Sequence, residues 1–163
     1  MTQKVVVRQS SEAIALLEAL QRQLAGEEAQ GGVPGWFGLP SKSAIVEAAI
    51  WHWLHSAQSG QRRKAFDAVS KGETTPRTFY LVHPTSLNEA CGVLGVERAR
   101  RGETFPTRGR TLEAVIRAFF EAGPAARGCA RRMVQGILGP MDIGDESVRW
   151  RATRDAEQVD AKD

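Results

Sequence analysis

The sequence predicts a mainly α-helical protein with two short strands, built from two copies of one strand, helix, linker, helix unit. Three observations carry this. Residues 40–54 are echoed without gaps by residues 106–120, a constant 66 positions later. Apolar side chains coincide in the echo as Val46/Leu112, Ala49/Val115, Ile50/Ile116, Trp53/Phe119 and Leu54/Phe120, the spacing of one buried helical face. Finally, a β-branched or aromatic run lies upstream of each copy, at residues 4–8 and 78–82. A duplication of this kind marks two copies of one supersecondary unit.

Taken in chain order, Lys4, Val5, Val6, Val7 and Arg8 read as the first strand. Ser10, Ser11 and Glu12 open a helix whose apolar stripe is Ala13, Ile14, Leu17, Leu20 and Leu24. Residues 26–39 form a long connection, glycine-rich at first and then carrying Trp36, Phe37 and Leu39, which are expected to tuck under the core or to be covered by a partner. Ser41 follows Pro40 and is suited to cap the next helix by accepting from its free first-turn amides. A polar linker then holds a predicted helix over residues 61–71, with Phe66 packed and the Arg62, Arg63, Lys64 triplet in solvent.

The second copy repeats the order. Its strand is residues 78–82, and Pro84 and Thr85 open a helix with Leu87, Ala90, Cys91 and Leu94 on one side. Gly92 and Gly95 weaken it by ~1 kcal/mol each relative to alanine. Thr107 stands where Ser41 stands in the first copy. Gly123 and Pro124 end that helix and start an extra one, with Ala126, Cys129, Ala130, Met133, Val134, Ile137 and Leu138 as a stripe expected to complete the core or to join two molecules. The expected organisation is a first unit at 3–56, a linker at 57–76, a second unit at 77–123, a helical extension at 124–150 and an acidic, disordered tail at 151–163.

The strand, helix, helix order, with Ser41, Lys42, Ser43 and Ala44 opening the second helix, resembles the ribbon-helix-helix superfamily of the Arc, MetJ and CopG repressors. The tandem arrangement is similar to the single-chain form found among TraY-type conjugation accessory proteins. The resemblance covers roughly residues 3–56 and 76–123. It implies that the two strands pair as an antiparallel ribbon in an intramolecular pseudo-dimer, with the ribbon entering the major groove of double-stranded DNA. The function implied is that of a transcriptional regulator or plasmid-transfer accessory factor. The 26–39 connection departs from the family, whose members join their helices by a few residues.

Strand alternation sets the expected reading face. Counting back from Ser10 turns Val5 and Val7 inward and leaves Lys4, Val6 and Arg8 outward; counting from Pro84 leaves Thr78, Tyr80 and Val82 outward. Lysine and arginine donate to guanine O6 and N7, and a valine can touch a thymine methyl. The second strand is poor in donors, so a non-palindromic target is expected. Ser41, Lys42 and Ser43 in one copy, and Thr107 and Arg108 in the other, place hydroxyls and cations at helix N-termini, where amides and dipole favour phosphate.

The 163-residue chain carries a formal charge of only +3, unevenly spread. Residues 97–132 hold nine arginines against four glutamates, whereas residues 142–163 hold seven acids against four bases. A basic body of this kind attracts phosphate through counterion release. Two cysteines without metal spacing and no secretory segment make a reduced cytoplasm the expectation. No stretch approaches the ~20 apolar residues of a membrane span. His52 and His55 stand three apart, but no third ligand is placed beside them, so neither a metal nor a cofactor is expected. With no Walker-type loop, nucleophile elbow or CxxC pair, a non-enzymatic role is expected. Both strands lie in one chain, so a monomer is the expected binding unit, with cooperative assembly on DNA open to it. The alternative is a ribbon-helix-helix scaffold that docks a protein partner through the second strand, the 26–39 connection or the C-terminal helix.

Overall fold

Strand alternation and helical periodicity both emerge in the computed structural model, which describes residues 1–25 and 40–138. The expectations for Trp36, Phe37 and Leu39, for residues 139–150 and for the acidic tail fall outside the described residues. Strands β1 (Gln3–Ser10) and β2 (Thr74–Leu81) pair antiparallel in a two-stranded sheet. Six helices accompany them among the described residues: α1 (Ser11–Ala25), α2 (Lys42–His55), α3 (Ser59–Asp67), α4 (Thr85–Arg100), α5 (Arg108–Glu121) and α6 (Pro124–Leu138).

The pairing register sets Lys4 against Tyr80, Val5 against Phe79, Val6 against Thr78 and Arg8 against Pro76. Val5, Val7, Phe79 and Leu81 are buried, while Lys4, Val6, Arg8, Thr78 and Tyr80 are exposed. One face of the ribbon therefore closes the core, and the other faces solvent. β2 starts four residues earlier than the sequence predicts, taking Thr74, Thr75 and Pro76 from the linker, because the C-terminal half of β1 needs partners for its backbone. Pro76 is tolerated there because each strand of a two-stranded ribbon has an open edge. Val82 lies beyond the strand. Its N–H, like that of His83, turns to Glu47 Oε1.

The duplicated helices have identical limits, 66 residues apart, and bury matching positions. Ile45/Thr111, Val46/Leu112, Ala48/Ala114, Ala49/Val115, Ile50/Ile116 and Trp53/Phe119 are all inside. Trp53 also donates its indole N–H to the Ala90 carbonyl at 3.2 Å, which satisfies the one polar atom it buries. Ser41 accepts from the Ala44 amide at 3.0 Å and Thr107 from the Arg110 amide at 3.2 Å, so both cap as expected. Ser10 caps α1 by accepting from Ala13 N at 3.0 Å.

The pieces between and after the copies follow the expectations less closely. α3 begins at Ser59 rather than residue 61, because the Gln58 amide donates back to the Gln61 side chain, and it ends at Asp67, where the chain turns to bury Val69. Phe66 packs as expected, and the guanidinium groups of Arg98 and Arg110 lie over its ring at 4.5 and 4.9 Å. Arg62 is not in solvent. It pairs with Glu97 and donates to the carbonyls of Trp53 and Ala57, stitching α3 to α4 and to the end of α2. α6 packs on α2. Ala130 is buried, but Met133 is exposed, and Arg127, 1% exposed, goes inside and donates to the carbonyls of Phe119 and Phe120; the burial expected of Ile137 and Leu138 lies outside the described side chains.

Candidate nucleic-acid interface

The ribbon's outer face is built by pairs across the register. Val6, 48% exposed, and Tyr80, 55% exposed, form its apolar centre, with Lys4 beside Tyr80 and Thr78 beside Val6. Arg8 lies on the same face and is tied down: its Nε donates to Thr74 Oγ1 at 2.9 Å and its Nη2 to the Thr74 carbonyl at 2.6 Å. Val82, expected on this face, is half-buried past the end of β2, where its backbone serves the strand-to-helix turn.

Each repeated helix is fixed against the strand of the other copy: α2 lies on β2, and α5 on β1. Ser43, at the start of α2, accepts from the Tyr80 amide at 2.9 Å, so its hydroxyl oxygen pins the helix to the ribbon and leaves its hydrogen to donate outward. The position corresponding to Ser43 in α5 is Gly109. There the backbone itself makes the contact, with Gln9 Nε2 donating to the Gly109 carbonyl at 3.0 Å. A Cβ at Gly109 would lie closer than 3.0 Å to the Arg8 carbonyl oxygen.

Glu47 and Glu113 are also equivalent in the repeat, and each holds the turn that follows the other copy's strand. Glu47 accepts from the Val82 and His83 amides after β2. Glu113, buried, accepts from Ser10 Oγ at 2.8 Å at the end of β1, from the Ser70 amide at 2.9 Å and from Arg117 Nε at 3.0 Å. The Ser10 hydroxyl, the Ser70 amide and Arg117 together satisfy a carboxylate that burial alone would penalise. Sequence reasoning passed over this pair, although a glutamate repeated on an otherwise apolar face was a visible signal.

These contacts place the expected residues in two clusters flanking the ribbon. Ser41 and Lys42 stand at the start of α2 near the Tyr80 end, and Thr107 and Arg108 at the start of α5 near the Arg8 end. At the second, a groove of about 460 Å³ opens between β1 and α5, lined by Arg8, Thr74, Thr107, Arg108 and Arg110 among others. Thr74 and Arg110 were not singled out from the sequence; Arg110 was concealed because its spacing gives no hint that it bends back over Phe66. Three arginines against the one carboxylate of Glu113, with the first-turn amides of α5 that Thr107 leaves free, favour negative charge in this groove.

Across the molecule, a second cleft of about 210 Å³ is lined by Glu47, Trp51, His55, His83 and Glu89 among others. Burial lowers the pKa of His55, opposed by the charge of Glu89, and its ring lies 4.8 Å from that of Trp51. His52 is buried against Phe119, its ring centre 5.9 Å away, and burial lowers its pKa as well. Among the described residues, no cluster of three or more His, Cys, Asp or Glu side chains is placed to hold a metal ion. Cys91 and Cys129 are both free thiols. Among the same residues, no helix is long and apolar enough to cross a membrane. No protein-family model matches the chain, and neither does any curated protein or solved structure.

Proposed function

We propose that this protein is a single-chain ribbon-helix-helix protein that binds double-stranded DNA in a sequence-specific manner, as a transcriptional regulator or a plasmid-transfer accessory factor. The observation that carries the reading is the antiparallel pairing of β1 with β2 within one chain, with Lys4, Val6, Arg8, Thr78 and Tyr80 exposed together on one face. A two-stranded ribbon has the width to enter the major groove, and lysine, arginine and an apolar centre are chemically suited to base edges there. Flanking it, Ser41, Lys42 and Ser43 on one side and Thr107 and Arg108 on the other are suited to phosphates, fixing register and supplying affinity that falls with salt. The two edges differ in charge, which favours a target without two-fold symmetry.

The test is a gel shift of the purified protein against random-sequence duplex at two salt concentrations, followed by selection of bound duplexes. Salt-sensitive binding and enrichment of one asymmetric sequence support the proposal. Absence of binding even at low salt refutes it and favours the second reading, a protein-docking scaffold, for which the exposed apolar pair Val6 and Tyr80 is the supporting observation.

A further inference from the structure

We infer that Thr74 is a positioning residue for Arg8, holding its guanidinium so that the free edge meets the O6 and N7 acceptors of one guanine. The inference rests on the ribbon entering the major groove, as proposed above, and adds the residue and the base through which one position of the target is read. An exposed arginine ordinarily samples many rotamers and loses that freedom on binding. Arg8 has already lost much of it: Nε and Nη2 are both held by Thr74, one through the side-chain hydroxyl and one through the carbonyl. Of five guanidinium N–H donors, Thr74 takes the Nε–H and one on Nη2. The edge left free presents Nη1 and Nη2 side by side, the fork that spans guanine O6 and N7.

The early start of β2 makes this contact possible. Arg8 is opposite Pro76, which brings no side-chain donor or acceptor, and Thr74 lies two residues further along the same face, opposite Ser10. Phosphate oxygens also suit an arginine fork. Placement favours the base: Arg8 lines the same groove as Arg108, but it belongs to the row of Lys4 and Val6 on the ribbon itself, whereas Arg108 stands at the start of the flanking helix, where a phosphate would run. Lys4, exposed in the same row, has no comparable tether to a described residue.

The experiment uses the full chain and the duplex it selects from a random pool. Each guanine of that duplex is replaced in turn by 7-deazaguanine, which lacks N7, and affinities are read by fluorescence anisotropy for the wild type, Thr74→Val and Thr74→Ser. One replacement is expected to weaken the wild type about tenfold. Thr74→Val, which removes the Nε tether and keeps the carbonyl one, is expected to lower affinity for the selected duplex roughly three- to tenfold, to be less sensitive to that replacement than the wild type, and to bind random duplex as the wild type does. Thr74→Ser, which keeps the hydroxyl, restores both the affinity and the sensitivity. Equal losses on selected and random duplex would move Arg8 to the phosphates and overturn the inference. So would a Thr74→Val protein with lowered melting temperature but intact discrimination, or one indistinguishable from the wild type. A wild type that binds no duplex at low salt overturns the DNA reading itself, before any variant is made.

Discussion

Replacing Gly109 by alanine separates two effects that oppose one another. In a helix alanine is favoured over glycine by about 1 kcal/mol, so on propensity alone the change should stabilise α5. At this position, however, the new Cβ would fall closer than 3.0 Å to the Arg8 carbonyl oxygen, a backbone atom that cannot rotate away. Either β1 or the first turn of α5 must move by several tenths of an ångström. Overpacking of this kind costs about 1–3 kcal/mol, and a rigid backbone neighbour puts the cost near the top of that range. The net effect is a destabilisation of about 2 kcal/mol, roughly 4–8 °C in melting temperature for a chain of this size. Two controls lie in α4. A Cβ at Gly92 meets nothing within 4 Å, so Gly92→Ala should stabilise by up to about 1 kcal/mol. The three atoms nearest a Cβ at Gly95 all belong to the ring of Phe105, an exposed side chain able to swing aside, so Gly95→Ala should be close to neutral. Thermal denaturation followed by circular dichroism reads all three. A Gly109→Ala protein as stable as Gly92→Ala would refute the close approach of α5 to β1 on which the groove depends.

Other perturbations test other joints. Glu97→Gln leaves Arg62 part-buried without its carboxylate and should cost about 3 kcal/mol by denaturant titration, since breaking an inward-facing pair costs more than an exposed one is worth; a cost under about 0.5 kcal/mol would mean the pair behaves as a surface one. His52 is held neutral in the fold by burial, whereas the unfolded chain takes up its proton near the ordinary histidine value. The unfolded state therefore binds more protons below that value, and stability should be complete above it and decline as pH falls through it, by at most about 1.4 kcal/mol per pH unit for this group. Urea titrations of His52→Leu from pH 7.5 to 5.5 should show a flatter profile, and an unchanged slope would remove His52 from the account. For DNA, Lys42→Ala and Arg108→Ala should weaken all duplexes alike and reduce the salt slope by about one unit each, whereas Lys4→Ala should cost roughly 1–3 kcal/mol on the preferred duplex and relax the choice of sequence. Filter binding across salt concentrations distinguishes the two patterns.

Much of the architecture was written in local pattern. Both strands, the α1 stripe and the matched helices α2 and α5 follow from period, cap and breaker residues, because those signals act within a turn or two of chain. Burial alternation in β1 and β2 put Val5, Val7, Phe79 and Leu81 inside as parity required. In α6 the sequence did not disclose that Arg127 goes inside, where its guanidinium reaches two carbonyls at the end of α5, a partnership no spacing reveals. Arg62 was misjudged for the same reason: its acceptors belong to α2, to Ala57 and to α4.

By itself, the sequence determined that residues 40–54 and 106–120 share one helical pattern, where those two helices begin, and, Val82 apart, which strand residues turn outward. Only the tertiary structure decided that β2 starts at Thr74 and so places a hydroxyl under Arg8. It alone decided that each repeated helix seats on the other copy's strand, and that Glu47 and Glu113 hold the opposite turns. Periodicity and capping involve groups a few residues apart and can be read along the chain. Those three features join groups 35 to 103 residues apart, whose meeting depends on how whole elements pack.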